Sequence, residues 1–230
     1  MTSIKKAYLS LFNSSQEPLL NQVIPFELQV VGGMTIIERV INGLVENGVE
    51  EIVVSGPTYK KSVEDYLKLL QDHEEQYEDV DFQFIFSKKE NLLKAQPYLD
   101  DNFYYYPSYL MVVGKKSVFE QMAKMFRTAE QCVAGLQEGL KEVSVDKIAR
   151  HLYKIQDIKS SDKEGFAFLN CFVLIPEIFK YLKKDTDLYD GLNTIIQQGE
   201  NVYGSQIRGQ FFDVSKTAGL SMAQKYYLSQ

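Results

Sequence analysis

The sequence has no tryptophan, two cysteines, two histidines and six prolines in 230 residues. Cys132 and Cys171 have no third partner and no metal-ligand spacing. That excludes a zinc module and argues against a disulfide framework, so both are expected to be small buried hydrophobes. His73 lies in an acidic stretch and His151 beside Arg150, neither with a nucleophile nor a second ligand at metal spacing. Cations are in the minority: 25 Lys+Arg face 31 Asp+Glu, a net charge of −6. A basic nucleic-acid footprint and a polybasic membrane face are therefore not expected. No apolar run reaches ~18 residues, so no spanning helix is expected either. Residues 1–12 are too short and too polar-flanked for a secretory signal, and the expected compartment is the cytoplasm.

What the chain does have is apolar periodicity. Hydrophobic residues make up 45% and aromatics 13%, enough for a full core in one α/β domain over residues 1–230. Short apolar runs read as buried strands at 7–12, 28–31, 52–54, 82–86, 109–113, 132–136, 152–158 and 166–174, with extended pieces at 202–207 and 211–214. Helical spacing appears between them. Thr35 with Glu38 three residues on forms a capping signal for Ile36, Ile37, Val40, Ile41 and Leu44. Further helices are expected at 61–70, 118–131, 176–182 with Pro176 in its first turn, 188–197 and 217–228. Residues 13–25 and 73–81 read as polar loops. Alternating strand and helix predict a mostly parallel mixed sheet flanked by helices. In such sheets ligands bind at the carboxyl ends of strands, which directs attention to the segments after Phe12, Val54, Val113 and Val214.

One stretch carries a resemblance. Pro25-Phe26-Glu27-Leu28-Gln29-Val30-Val31-Gly32-Gly33-Met34-Thr35-Ile36-Ile37-Glu38-Arg39-Val40-Ile41 resembles the opening of bacterial UTP–glucose-1-phosphate uridylyltransferases. These read Pro-Lys-Glu-Met-Leu-Pro-Val, a glycine turn, then Pro-Leu-Ile-Glu-x-Val-Ile. The likeness continues through Gly48 to Val54 and Tyr59 to Tyr66, and resumes at Phe172 to Phe179, Leu188 to Leu192 and Gly209 to Ser215. The middle, from about Lys88 to Ala149, matches poorly. The resemblance implies a Rossmann-like nucleotidyltransferase fold. It also implies a reaction in which a sugar 1-phosphate attacks the α-phosphorus of UTP and pyrophosphate leaves. Such chemistry depends on positioning and on charge neutralisation by Arg, Lys and a divalent metal.

The residues that would do this are mostly replaced. The Gly-x-Gly-Thr-Arg loop that follows the first strand in that family is Asn13-Ser14-Ser15-Gln16-Glu17 here. A carboxylate at the arginine position repels a triphosphate that a guanidinium would clamp. The family's Pro-Lys is Pro25-Phe26, and Gln22 near its Thr-Lys pair is uncharged. Its acidic metal-holding pair, sought after the strand ending at Val113, is Gly114-Lys115-Lys116, and lysine does not ligate magnesium. The Gly-Leu-Gly-His nucleotide segment and the Val-Glu-Lys-Pro sugar-phosphate segment have no counterpart.

By resemblance, Leu11, Phe12 and Asn13 are a nucleotide-binding remnant, Lys159 (or Lys163) a sugar-phosphate candidate, and Asp213 the surviving metal carboxylate; capping of a turn is the alternative role for Asp213. The expected function is a non-catalytic ligand- or partner-binding relative with no cofactor. The alternative is an active nucleotidyltransferase using Mg, its phosphate site rebuilt from Lys88, Lys89, Lys94, Lys115 and Lys116. Expected partners are a second copy, or an active uridylyltransferase or glycosyltransferase, with a sugar nucleotide as the candidate ligand. Tyr104-Tyr105-Tyr106 beside Phe103 is expected to pack against the sheet or a partner rather than on a base. The last helix is expected to dock on the chain's own sheet or on a second subunit.

Overall fold

The computed structural model describes residues 3–12, 24–158, 166–184 and 186–229. In chain order the strands are β1 Lys6–Ser10, β2 Val30–Val31, β3 Met34–Thr35, β4 Glu51–Gly56, β5 Asp81–Phe86, β6 Phe103–Pro107, β7 Leu110–Val113, β8 Val133–Ala149, β9 Leu152–Asp157, β10 Phe166–Leu174, β11 Tyr203–Gln206 and β12 Gln210–Asp213. The helices are α1 Ile36–Val45, α2 Lys61–His73, α3 Val118–Ala129, α4 Leu188–Gln197 and α5 Thr217–Leu228. Eight strands form one sheet in the order β11-β9-β8-β10-β6-β1-β4-β5. Its β6-β1-β4-β5 half is wholly parallel. The other half runs antiparallel through β10, β8 and β9, with β11 parallel to β8. The mixed α/β class with a parallel core follows the sequence expectation.

Strands of the parallel core are buried on both faces, so they show as continuous apolar runs instead of alternation. Ala7, Leu9, Ile52, Val54, Tyr104 and Tyr106 enter the core that α1, α2 and α3 cover. Tyr8, Val53, Phe103 and Phe172 enter the opposite core, beneath α4 and the 3-10 turns. This two-sided burial accounts for the aromatic run 103–106. These residues form the strand beside β1, a strand absent from the sequence expectation because Tyr-rich, Pro-terminated sequence carries no clear period. Tyr104 packs edge-on against Phe119, and Tyr8 stacks on Tyr105 with ring centroids 5.4 Å apart.

Local signals place α1 as expected. The Thr35 hydroxyl accepts the Glu38 amide at 3.2 Å, and Ile36, Ile37, Val40, Ile41 and Leu44 are buried. Other expectations are corrected. Residues 28–31 are the end of a 3-10 turn, Phe26–Leu28, followed by the two-residue β2. Segment 176–182 is a single 3-10 turn, Pro176–Lys180, because α4 opens with its own Asp187 cap a few residues on. Segment 73–81 is not simply a solvated loop, since Tyr77 within it is buried in the core. Strand β7 does not join the large sheet; it forms a separate antiparallel ribbon with β12. That ribbon packs Met111 and Phe212 against Phe26, Val31, Ile36 and Ala223 of α5. The last helix therefore docks on its own chain, with Met222 and Leu228 facing outward. Among the described residues no helix is long and apolar enough to cross a membrane.

The approach of α5 to β12 requires a glycine. A Cβ added at Gly219 would lie 2.0 Å from the Asp213 carbonyl oxygen, a backbone atom that cannot swing away. Gly219→Ala is expected to cost about 1–3 kcal/mol, read by urea unfolding; an unchanged midpoint would contradict this packing. Both cysteines are free and buried, and burial pushes the Cys132 thiol up to about 11 and the Cys171 thiol up to about 12. Maleimide at neutral pH should leave both unlabelled in native buffer and label both in denaturant, as followed by intact mass. Prompt native labelling would contradict that burial.

Candidate functional site

The parallel strands all end along one edge of the sheet. From the carboxyl end of β1 the chain goes on to β4 on one side, and from the adjacent β6 it goes on to β8 on the other, so the two connections diverge. This is the switch point where an open α/β sheet leaves a crevice. Two structures meet there: a buried ion pair and a cavity.

The ion pair joins Lys60 and Glu27, which are 1% and 0% exposed. Lys60 Nζ donates to Glu27 Oε1 and to the carbonyl of Leu11, each at 2.6 Å. It also lies 4.5 Å from the centre of the Phe26 ring. Ser108 Oγ donates to the same Glu27 Oε1 at 2.8 Å, while Oε2 has no hydrogen-bond partner among the described residues. Burial raises the Glu27 carboxyl and lowers the Lys60 ammonium, and their mutual attraction offsets each shift only in part. The Lys60 ammonium is thus committed to internal partners.

The cavity, of about 550 Å³, opens beside it. Phe12, Tyr105, Tyr109, Phe172 and Tyr189 supply its aromatic walls. Its polar groups form two sets. The Tyr105 hydroxyl donates to Glu90 Oε1 at 2.9 Å. Asn170 Nδ2 donates to the Tyr109 hydroxyl at 2.5 Å, and Asn170 Oδ1 accepts from the Tyr189 hydroxyl. Asn170 can lie between these tyrosines because its backbone takes a φ of 57° at the irregularity of β10 opposite β8. Glu90 keeps solvent access, but the surrounding walls, foremost, and the nearby Asp187 charge raise its carboxyl; hydrogen bonds from Ser10, Tyr105 and Tyr8 offset this in part. Asp187 itself caps α4, its Oδ1 accepting the Asp190 amide at 2.9 Å.

Of the residues singled out from sequence, Phe12 lines the cavity. Leu11 buries its side chain in the core and offers only its carbonyl, to Lys60. Asn13, Glu17, Gln22, Lys159 and Lys163 lie outside the described residues. Phe26 is buried against Lys60 rather than facing a ligand. Lys115 and Lys116 are a correction: they follow β7, outside the large sheet, and stand exposed, with Lys116 paired to Glu120 one helical turn on. The residues that follow the strand beside β1 are instead Ser108 and Tyr109. Of the middle lysines, Lys89 reaches the cavity.

Magnesium takes several oxygen ligands. Asp213 Oδ1 accepts from the Ser215 amide at 3.2 Å and the Ser215 hydroxyl at 2.6 Å, and Oδ2 pairs with Lys216 at 2.7 Å. It acts as a turn cap. Among the described residues no three His, Cys, Asp or Glu side chains come together as a metal site. The described residues do not fit a resident magnesium ion. Glu90 and Asn170 were not singled out from sequence, although a lone Asn inside the apolar run 166–174 is a readable anomaly.

Removing one member of the buried pair leaves the other uncompensated, which typically costs about 3–5 kcal/mol. Lys60→Met alone is expected to destabilise by that order in urea unfolding. Lys60→Met with Glu27→Leu should recover most of the loss, as a double-mutant cycle reads. Additive losses would show that the two side chains are not coupled.

No family model matches the chain. The UTP–glucose-1-phosphate uridylyltransferase of Mycoplasma pneumoniae is 23% identical over 279 residues, covering 98% of this chain and 93% of that protein. A solved UDP-glucose pyrophosphorylase complexed with UDP-glucose superposes with a TM-score of 0.85 at 17% identity, over 98% of this chain and 99% of that one. A UTP-bound UGPase from Acinetobacter baumannii gives 0.82 at 19% identity, over 99% and 94%. Along nearly its whole length the chain is thus similar in sequence to a UTP–glucose-1-phosphate uridylyltransferase, and it shares the fold of the solved UDP-glucose pyrophosphorylases.

Proposed function

We propose that this chain is a non-catalytic, ligand-binding relative of the uridylyltransferases. One observation carries the reading: at the crevice the buried cation, Lys60, is spent on Glu27 and the Leu11 carbonyl. A triphosphate needs cations that are free to approach it, and removing one such group typically costs ~10²–10³ in rate. Several losses together leave little turnover, even though they do not add. The replaced loop at 13–17, the hydroxyl residues Ser108 and Tyr109 after β6, and the capping role of Asp213 support the same reading. Solved relatives hold UDP-glucose or UTP. For this chain we take binding without nucleotidyl transfer as the function, in the cytoplasm. A second copy or an active uridylyltransferase or glycosyltransferase is its proposed partner, met through the outward face of α5.

The test is pyrophosphate release from UTP and glucose 1-phosphate with magnesium, repeated with the other nucleoside triphosphates. The expected result is no release above the protein-free background. Sustained turnover with any triphosphate would establish the alternative, an active nucleotidyltransferase with an altered site.

A further inference from the structure

The 550 Å³ cavity combines features that select a ligand by charge. Its aromatic walls suit the apolar face of a ring. Its polar groups are a carboxylate, an amide and tyrosine hydroxyls, held by one another at hydrogen-bond distance. That set both donates and accepts, as a ring bearing several hydroxyls requires. Two carboxylates, Glu90 and Asp187, face the cavity, against Lys89 alone among the described cations lining it. Among the described residues a phosphate there meets two carboxylates and finds one ammonium and no guanidinium.

We propose that this cavity binds an uncharged, hydroxyl-rich ring, an unphosphorylated sugar or polyol, with Glu90, Asn170 and Tyr189 as its polar contacts and Phe12 and Tyr109 as its apolar walls. The inference rests on the non-catalytic reading and gives it a ligand class. Discrimination comes from Glu90 and Asp187, which accept hydrogen bonds from hydroxyls and exclude phosphates. Asn170 orients Tyr109 and Tyr189 through its two amide atoms, so its loss should disorganise both walls.

The experiment is ligand-observed saturation-transfer NMR on the full chain, with methyl α-D-glucopyranoside, its galacto and manno epimers, glucose 1-phosphate and UDP-glucose. At least one methyl glycoside is expected to bind saturably, with Kd on the order of 1 mM. Glucose 1-phosphate and UDP-glucose should bind more weakly, by about fivefold or more, as a coupling of about 1 kcal/mol per opposed charge gives. Asn170→Ala should abolish glycoside binding. Glu90→Gln, which keeps the shape, should bring glycoside and phosphate affinities closer together. If Asn170→Ala fails to fold by circular dichroism, Tyr189→Phe replaces it, with loss of affinity expected. Absence of binding by all three glycosides, or tighter binding of either phosphorylated ligand, overturns this inference. Neither outcome touches the non-catalytic reading, which falls only if pyrophosphate is released.

Discussion

The ammonium of Lys60 is where four connections of the fold are tied. It holds the carbonyl that ends β1, and it holds Glu27 in the turn before β2. Through Glu27 it reaches Ser108, the first residue after β6. Lys60 itself sits in the turn between β4 and α2. A buried pair of this kind contributes little net stability, because desolvation offsets most of the Coulombic gain. Its value lies in geometry: a charge removed from water tolerates few alternative partners, so the loops that supply those partners are held in one arrangement.

The same interaction decides the electrostatics of the crevice. The edge of a parallel sheet at its switch point commonly serves anions, through free backbone amides and side-chain cations. Here the cation that bonds the Leu11 carbonyl, just past β1, is buried and paired with Glu27. Along the cavity the described charged and polar groups include a pair of carboxylates, the Lys89 ammonium, the Asn170 amide and several phenols. The fold shared with the solved UDP-glucose pyrophosphorylases thus carries, among its described residues, a cavity lined by two carboxylates and one ammonium. The ribbon of β7 and β12, covered by α5, closes the far side with an apolar cluster that includes Phe26, whose ring also contacts Lys60. Packing and electrostatics thus share one residue at the base of the site.

Much of the architecture was readable along the chain. The Thr35–Glu38 cap, the spacing of α1, the limits of α4 and the apolar run of β10 follow from local chemistry, which needs neighbours within a few residues. Strand β6 was hidden because its aromatics serve two cores at once, and a residue string carries no mark of which face each ring takes. The displacement of β7 into a ribbon was equally invisible, since an apolar run of four residues fits either a large sheet or a small one. That misplacement set Lys115 and Lys116 at an edge where they do not stand.

Composition and periodicity alone determined the class of fold and the burial of both cysteines, because each depends on residue type or local order, whereas the replaced loop at 13–17 is legible only through the resemblance to the uridylyltransferases. Tertiary structure alone decided that Glu27 and Lys60, 33 positions apart, would meet. It also decided that Glu90 and Asn170, far apart in the chain, would share a cavity. Long-range pairing of charges is settled by which loops the sheet order brings together, and that order is a property of the packed core as a whole.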